Sequence, residues 1–131
     1  MDGWTALSMV ESGNNDYAVG RAGEISRYQV LKKEWHSVTN SRAYSHPQTA
    51  ATVARILLTR RIEQFEQKLH RPPSSFEAYV LWNAPAQALN GRATRTVAAR
   101  ARRFANLCDP QWLASGSLHA ALARHHLGQP G

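Results

Sequence analysis

Glu11 closes the short apolar segment GWTALSMVES, and a stretch punctuated by Gly13, Gly20 and Gly23 runs from there to Gln29. A carboxyl at the end of a helical apolar face is partly withdrawn from water. Burial disfavours the charged form, so such a group keeps its proton near neutral pH. A protonated carboxyl can act as general acid on a glycosidic oxygen; a plain helix-end carboxylate in water is the competing reading, the common fate of glutamate. Two more acids lie close by. Asp16 is expected in a turn, bonded to its own backbone. Glu24 is the candidate second carboxylate across a groove, the partner a hydrolytic enzyme would use. Gln29 and Asn83 can hydrogen-bond hydroxyl and amide groups. Tyr28, Tyr79 and Trp82 offer flat apolar faces for sugar rings, with core filling as the alternative for Tyr79 and Trp82. Ser12, beside the acid, either meets a substrate or caps the helix end.

Positioning these groups calls for helices. In GWTALSMVES, Trp4, Leu7 and Val10 or Glu11 recur at helical spacing, and Gly13 and Asn14 are natural C-terminal cap residues. The loop to Ser26 has room for a small strand or β-turn. RYQVLKKEW resumes a helix-like pattern, with Tyr28, Leu31 and Trp35 on one face. SHPQ marks a strong start: Ser45 as cap, Pro47 in the first turn, Gln48 reaching back. The helix it opens is expected to run to about Leu69, its apolar stripe formed by Ala50, Ala54, Leu57, Leu58, Ile62, Phe65 and Leu69. The prolines of HRPP stop it. Ser74 and Glu77 form a second capping box, opening a helix with Phe76, Tyr79, Val80 and Trp82 that Pro85 should end. From Gly91 a further helix buries Val97, Ala101, Phe104, Ala105 and Cys108. The result is an all-α domain of five to six helices with little or no strand, spanning residues 1–131, in which about 113–131 form a peripheral tail or short last helix.

Composition narrows the classes. The chain has 131 residues and is 43% hydrophobic, enough for one folded domain and unlike a disordered tail. No apolar run approaches the roughly 20 residues of a membrane span, and the start MDGWTALSMV lacks the pattern of a secretion signal. The single cysteine excludes an internal disulfide, and Cys108 reads as buried filler. The six histidines form no metal-ligand set, so neither metal nor cofactor is expected. The net charge of +7 favours a partner carrying negative charge.

The stretch ALSMVESGNNDYAVGRAGEISRYQV resembles the opening of the lytic transglycosylase catalytic domain, the lysozyme-like fold of the soluble lytic transglycosylases. In that family a helix ends in Glu-Ser, then come an Asn, an Ala-Val pair, and a Gly-rich segment running into a Gln on the next helix. Here these are Glu11-Ser12, Asn15, Ala18-Val19, Gly23 and Gln29. A later family signature, aromatic-Asn-Ala-Gly, is similar to Trp82-Asn83-Ala84, with Pro85 where the family has Gly. Ser26 stands where a second glycine is usual and Tyr28 where a Met is; the serine implies a backbone that need not adopt a glycine-only conformation. The likeness spans roughly Leu7 to Asn83.

The resemblance implies cleavage of the β-1,4 bond between N-acetylmuramic acid and N-acetylglucosamine in peptidoglycan, giving a 1,6-anhydro product. Glu11 would be acid and then base, with Ser12, Tyr28, Gln29, Tyr79, Trp82 and Asn83 around the glycan. It also implies a periplasmic or extracellular setting, and a monomer suffices. A goose-type lysozyme-like hydrolase and a non-catalytic peptidoglycan-binding module are the alternatives. Nucleic-acid binding is the less favoured one: five arginines and no acid lie between Gly91 and Arg103, but a charged run is usually a solvated helix face.

Overall fold

Six helices carry the chain in a computed structural model that describes residues 1–113: α1 Gly3–Ser12, α2 Lys32–His36, α3 Pro47–Leu69, α4 Ser75–Asn83, α5 Pro85–Leu89 and α6 Arg95–Leu107. The expected tail beyond residue 113 lies outside the described residues. The all-α expectation holds, and among the described residues strand is confined to isolated bridges between Val19 and Ile25 and between Ile25 and Val30.

The centre of the fold is α4. Ala78, Tyr79, Val80, Leu81 and Trp82 are buried in unbroken succession, the mark of a helix covered on every side. It packs against α3, α5 and α6, and α1 packs against α6. Its start is the expected capping box: Ser74 Oγ accepts from the Glu77 N–H while the Glu77 carboxylate accepts from the Ser74 N–H. Arg71 clamps the same carboxylate with both guanidinium nitrogens, and with Ser74 holds its pKa down to about 2.

Aromatic rings join α4 to the chain's first helix. Tyr28, Trp4, Trp112, Phe104 and Tyr79 form a continuous line of ring contacts at centroid distances of 5.4–6.1 Å. Trp112 reaches Trp4 because Gly3 has no side chain: a Cβ there would lie 2.0 Å from the Trp112 ring.

Several boundaries differ from expectation. RYQVLKKEW is not helical before Lys32. Ile25 and Val30 exchange backbone hydrogen bonds at 2.9 and 3.0 Å, and the Gln29 N–H donates to the Ser26 carbonyl. That tight closure replaces the first helical turn, so Tyr28 and Gln29 lie in a loop and Leu31 is the N-cap of α2, 41% exposed. His46, not Ser45, caps α3, its ring nitrogen accepting from the Thr49 N–H, with Pro47 following as expected. Pro85 both ends α4 and opens α5, since its fixed φ suits a first helical turn. Gly91 sits in the left-handed region, and the last described helix starts after it, at Arg95 behind the Thr94 cap. Asp16 bonds not to its own backbone but to Arg27, at 2.6 and 3.0 Å.

Ser26 departs most sharply. Its φ is +63°, the conformation glycine would take without strain. It is also buried, and its hydroxyl finds no hydrogen-bond partner among the described residues. Both features cost free energy. Ser26→Gly is therefore expected to stabilise the protein by about 1 kcal/mol, read as a rise in melting temperature. Ser26→Ala, which removes only the orphaned hydroxyl, should give a smaller gain. A fall with glycine would show that the serine side chain is needed for packing.

Candidate active site

Glu11 is placed by the end of its own helix and by the loop latched onto that end. Gly13 and Asn14, both left-handed, terminate α1, and the Gly13 N–H donates back to the Met9 carbonyl. The buried Ser8 hydroxyl donates to Asn14 Oδ1 at 2.8 Å. Ser12 Oγ donates to the Arg27 carbonyl at 2.8 Å and accepts from the Asn15 N–H at 3.0 Å. Ser12 thus ties the helix end to both arms of the following loop.

The carboxyl opens onto a cleft of about 500 Å³, lined among others by Glu24, Gln29, Arg61, Trp82, Asn83 and Arg100. This volume falls within the usual range of small-molecule sites. From behind, the Tyr79 hydroxyl donates to Glu11 Oε1. Burial is the largest influence on Glu11 and pushes its pKa above the ordinary glutamate value. The Tyr79 hydrogen bond, the Arg100 charge and Asn83 pull it back, while the Glu24 charge adds to the rise. Burial wins. Tyr79 is itself raised, first by burial and then by the Glu11 charge, so it stays a hydrogen-bond donor.

The opposite wall is the glycine-punctuated loop. Glu24 Oε1 accepts from the Ala22 N–H at 2.7 Å. Gln29 has a φ of +54°, and its Nε2 donates to the Ser26 carbonyl at 2.9 Å. Gly20 makes room for both side chains: a Cβ there would meet Gln29 Oε1 at 2.6 Å and Glu24 Oε2 at 2.8 Å.

Of the expected site residues, Glu11, Glu24, Gln29, Trp82 and Asn83 share this cleft, while Ser12, Tyr28 and Tyr79 do not line it. Ser12 has its hydroxyl committed to the loop. Tyr28 is buried against Trp4, and its carbonyl accepts from the Trp82 indole N–H at 3.1 Å. Tyr79 is wholly buried and meets the cleft from behind, through Glu11 and Arg100. Trp82 presents little ring surface, being 5% exposed.

The sequence reading missed three arginines. Arg61, from α3, donates to the Trp82 carbonyl at 2.6 Å, pairs with Glu34 of α2, and lies 5.0 Å from the centroid of the Trp82 ring. It fixes the C-terminal end of α4, from which Asn83 projects. Its signal was present: Arg61 follows Leu57 and Leu58 and precedes Phe65 at helical spacing, on the rim of the buried stripe. Arg100 falls in the run expected to be a solvated helix face, and nothing in the loop sequence singles out Arg21; both line the cleft.

Two measurements follow from Glu11's surroundings. Below the ordinary glutamate pKa, folded and unfolded chains both hold the proton. As pH rises from there to the raised folded value, only the unfolded chain releases it, so stability falls across that window. Glu11→Gln escapes this penalty. The variant should melt higher than the parent at about pH 8, and the gap should close towards about pH 4; a parent that melts higher at both would mean the carboxylate is not penalised. Tyr79→Phe keeps the ring and removes a bond that favours the charged form, so the Glu11 carboxyl carbon should titrate at higher pH by NMR; an unmoved titration would remove Tyr79 from this role. Comparisons with protein-family models, with curated proteins and with solved structures find no match to this chain.

Proposed function

We propose that this chain cleaves a β-1,4 glycosidic bond in peptidoglycan, between N-acetylmuramic acid and N-acetylglucosamine, as a lytic transglycosylase. The observation that supports this most is Glu11: a carboxyl whose pKa is raised by burial, set at the wall of an open cleft, with one oxygen held from behind by Tyr79.

In this role Glu11 donates its proton to the bridging oxygen as the bond from the anomeric carbon to that oxygen breaks. The substrate's own acetamido oxygen closes onto the anomeric carbon and stands in for a second carboxylate. The Glu11 carboxylate that results is stabilised by the Tyr79 hydroxyl and the nearby Arg100 charge. It then takes the proton of the muramic 6-hydroxyl as that oxygen attacks the anomeric carbon and displaces the acetamido oxygen. Glu11 ends protonated, as it began, and no water is consumed. Asn83 and Gln29 supply hydrogen-bonding groups along the cleft. Such a protein acts where peptidoglycan lies, in a periplasmic or extracellular setting.

A hydrolytic outcome is favoured by one observation: Glu24 lines the same cleft, and its charge reaches Glu11. With Glu24 as base, water would take the place of the internal hydroxyl.

The two outcomes differ in product mass. Purified protein incubated with peptidoglycan sacculi should release muropeptides lighter by one water than hydrolysed ends. Glu11→Gln should lower that release by about a thousandfold, the scale of general acid–base catalysis. Reducing ends would transfer the second step to water and Glu24. No release from folded protein would sink the proposal.

A further inference from the structure

The arginines of α6 are not used up by the cleft. Arg95, Arg100, Arg102 and Arg103 are all exposed, as is Arg92 just before the helix. The described ion pairs join Arg27 to Asp16, Arg61 to Glu34 and Arg71 to Glu77, and none of them involves α6. The helix buries Val97, Ala98, Ala101 and Phe104, which fixes how its other residues face. At 3.6 residues per turn, Arg100 lies beside the Val97–Phe104 edge and Arg103, three residues on, stands about 60° further round the helix. Arg95 and Arg102, two turns apart, share a row beyond it. Because Arg100 also lines the cleft, the band of positive charge begins at the cleft and runs outward from it.

We infer that Arg95, Arg102 and Arg103 form an anion-binding track that takes the carboxylates borne by a glycan strand whose scissile bond lies at Glu11, an assignment that rests on the function proposed above. Continuity supports this occupant, since one residue, Arg100, belongs to both surfaces. Charge complementarity supports it as well, since α6 carries no acid and the whole chain is at +7. A single-stranded nucleic acid fits less well. The exposed residues between the arginines are Thr96, Ala99 and Asn106, so the track has no aromatic face on which bases could stack.

The test uses the full chain carrying Glu11→Gln, to hold substrate uncut, with and without Arg95→Gln, Arg102→Gln and Arg103→Gln together. Sedimentation with sacculi at low salt should show about tenfold weaker binding for the triple variant, the sum expected of three exposed charge contacts. Replacement of the same three by lysine should restore most of it. The difference should vanish at high salt, where exposed charges are screened, and on sacculi whose carboxyls have been amidated. With Glu11 intact, the triple variant should cleave a short soluble glycan fragment as the parent does. Equal binding of parent and triple variant to sacculi would overturn the track while leaving cleavage by the parent standing. Failure of the parent to cleave sacculi removes the proposed function, and that assay is read separately. Loss of binding to duplex DNA in the triple variant, with sacculus binding unchanged, would overturn the track in favour of nucleic acid.

Discussion

The hydrogen bond from Tyr79 to Glu11 is the contact on which the site depends, because it joins the two helices that must be held in register. Glu11 ends α1, and Tyr79 lies in the middle of α4, 68 residues away in sequence. Tyr79 can aim its hydroxyl reproducibly only because its ring is fully buried and packed against Phe104. The capping box at Ser74 sets where α4 begins, and Arg61 holds the carbonyl of Trp82 near its end. Both contacts therefore bear on the same hydroxyl. The contrast with Glu77 is instructive. That glutamate meets Arg71 and two serine groups at a helix start and is driven far down in pKa, whereas Glu11 meets burial and one phenol and is driven up. Environment, not residue type, separates the structural carboxylate from the one proposed to act on substrate.

The loop between α1 and α2 is where the chain accepts cost. Asn14, Ser26 and Gln29 all take positive φ without being glycine. Left-handed conformations of this kind cost about 1–2 kcal/mol each and persist only when surroundings over-determine them. Here Ser8, Ser12 and the Ile25–Val30 pairing do so. The conformation at Gln29 sends its amide to the Ser26 carbonyl, which leaves Gln29 at the cleft beside Glu24. Strain in this loop is therefore linked to the position of one wall of the site.

Much of this was legible in the sequence where local rules suffice. The capping box at Ser74, the stop at HRPP, the left-handed cap after Glu11 and the stripe of α3 are decided by residues within a few positions of each other, and they hold. The expectations that failed needed information from further away. RYQVLKKEW has a helical pattern, but pairing of Ile25 with Val30 captured its first residues, and a period count does not see a bridge. A serine at position 26 implies a backbone free of glycine-only conformations, because serine is easiest to accommodate at negative φ; the latches around it impose the opposite. Tyr28 and Tyr79 look equally suited to stacking on a sugar, and only the packed structure puts both behind the cleft.

The placement of Arg100 shows how the charges of the site can serve opposite ends. A cation near a carboxyl lowers its pKa, which works against a general acid. The positive charge of the chain would therefore disarm Glu11 if burial were weaker. Burial remains the largest influence, so Arg100 limits the rise without reversing it. A carboxyl held only by burial would give up its proton reluctantly and form an uncompensated charge on doing so. With Tyr79 and Arg100 nearby, the anion that the proposed proton donation would leave has a donor and a counter-charge already in place, at no further cost of reorganisation. A group that must act first as acid and then as base needs both properties. The combination of a desolvating wall with one phenol and one arginine meets that need with a single carboxyl.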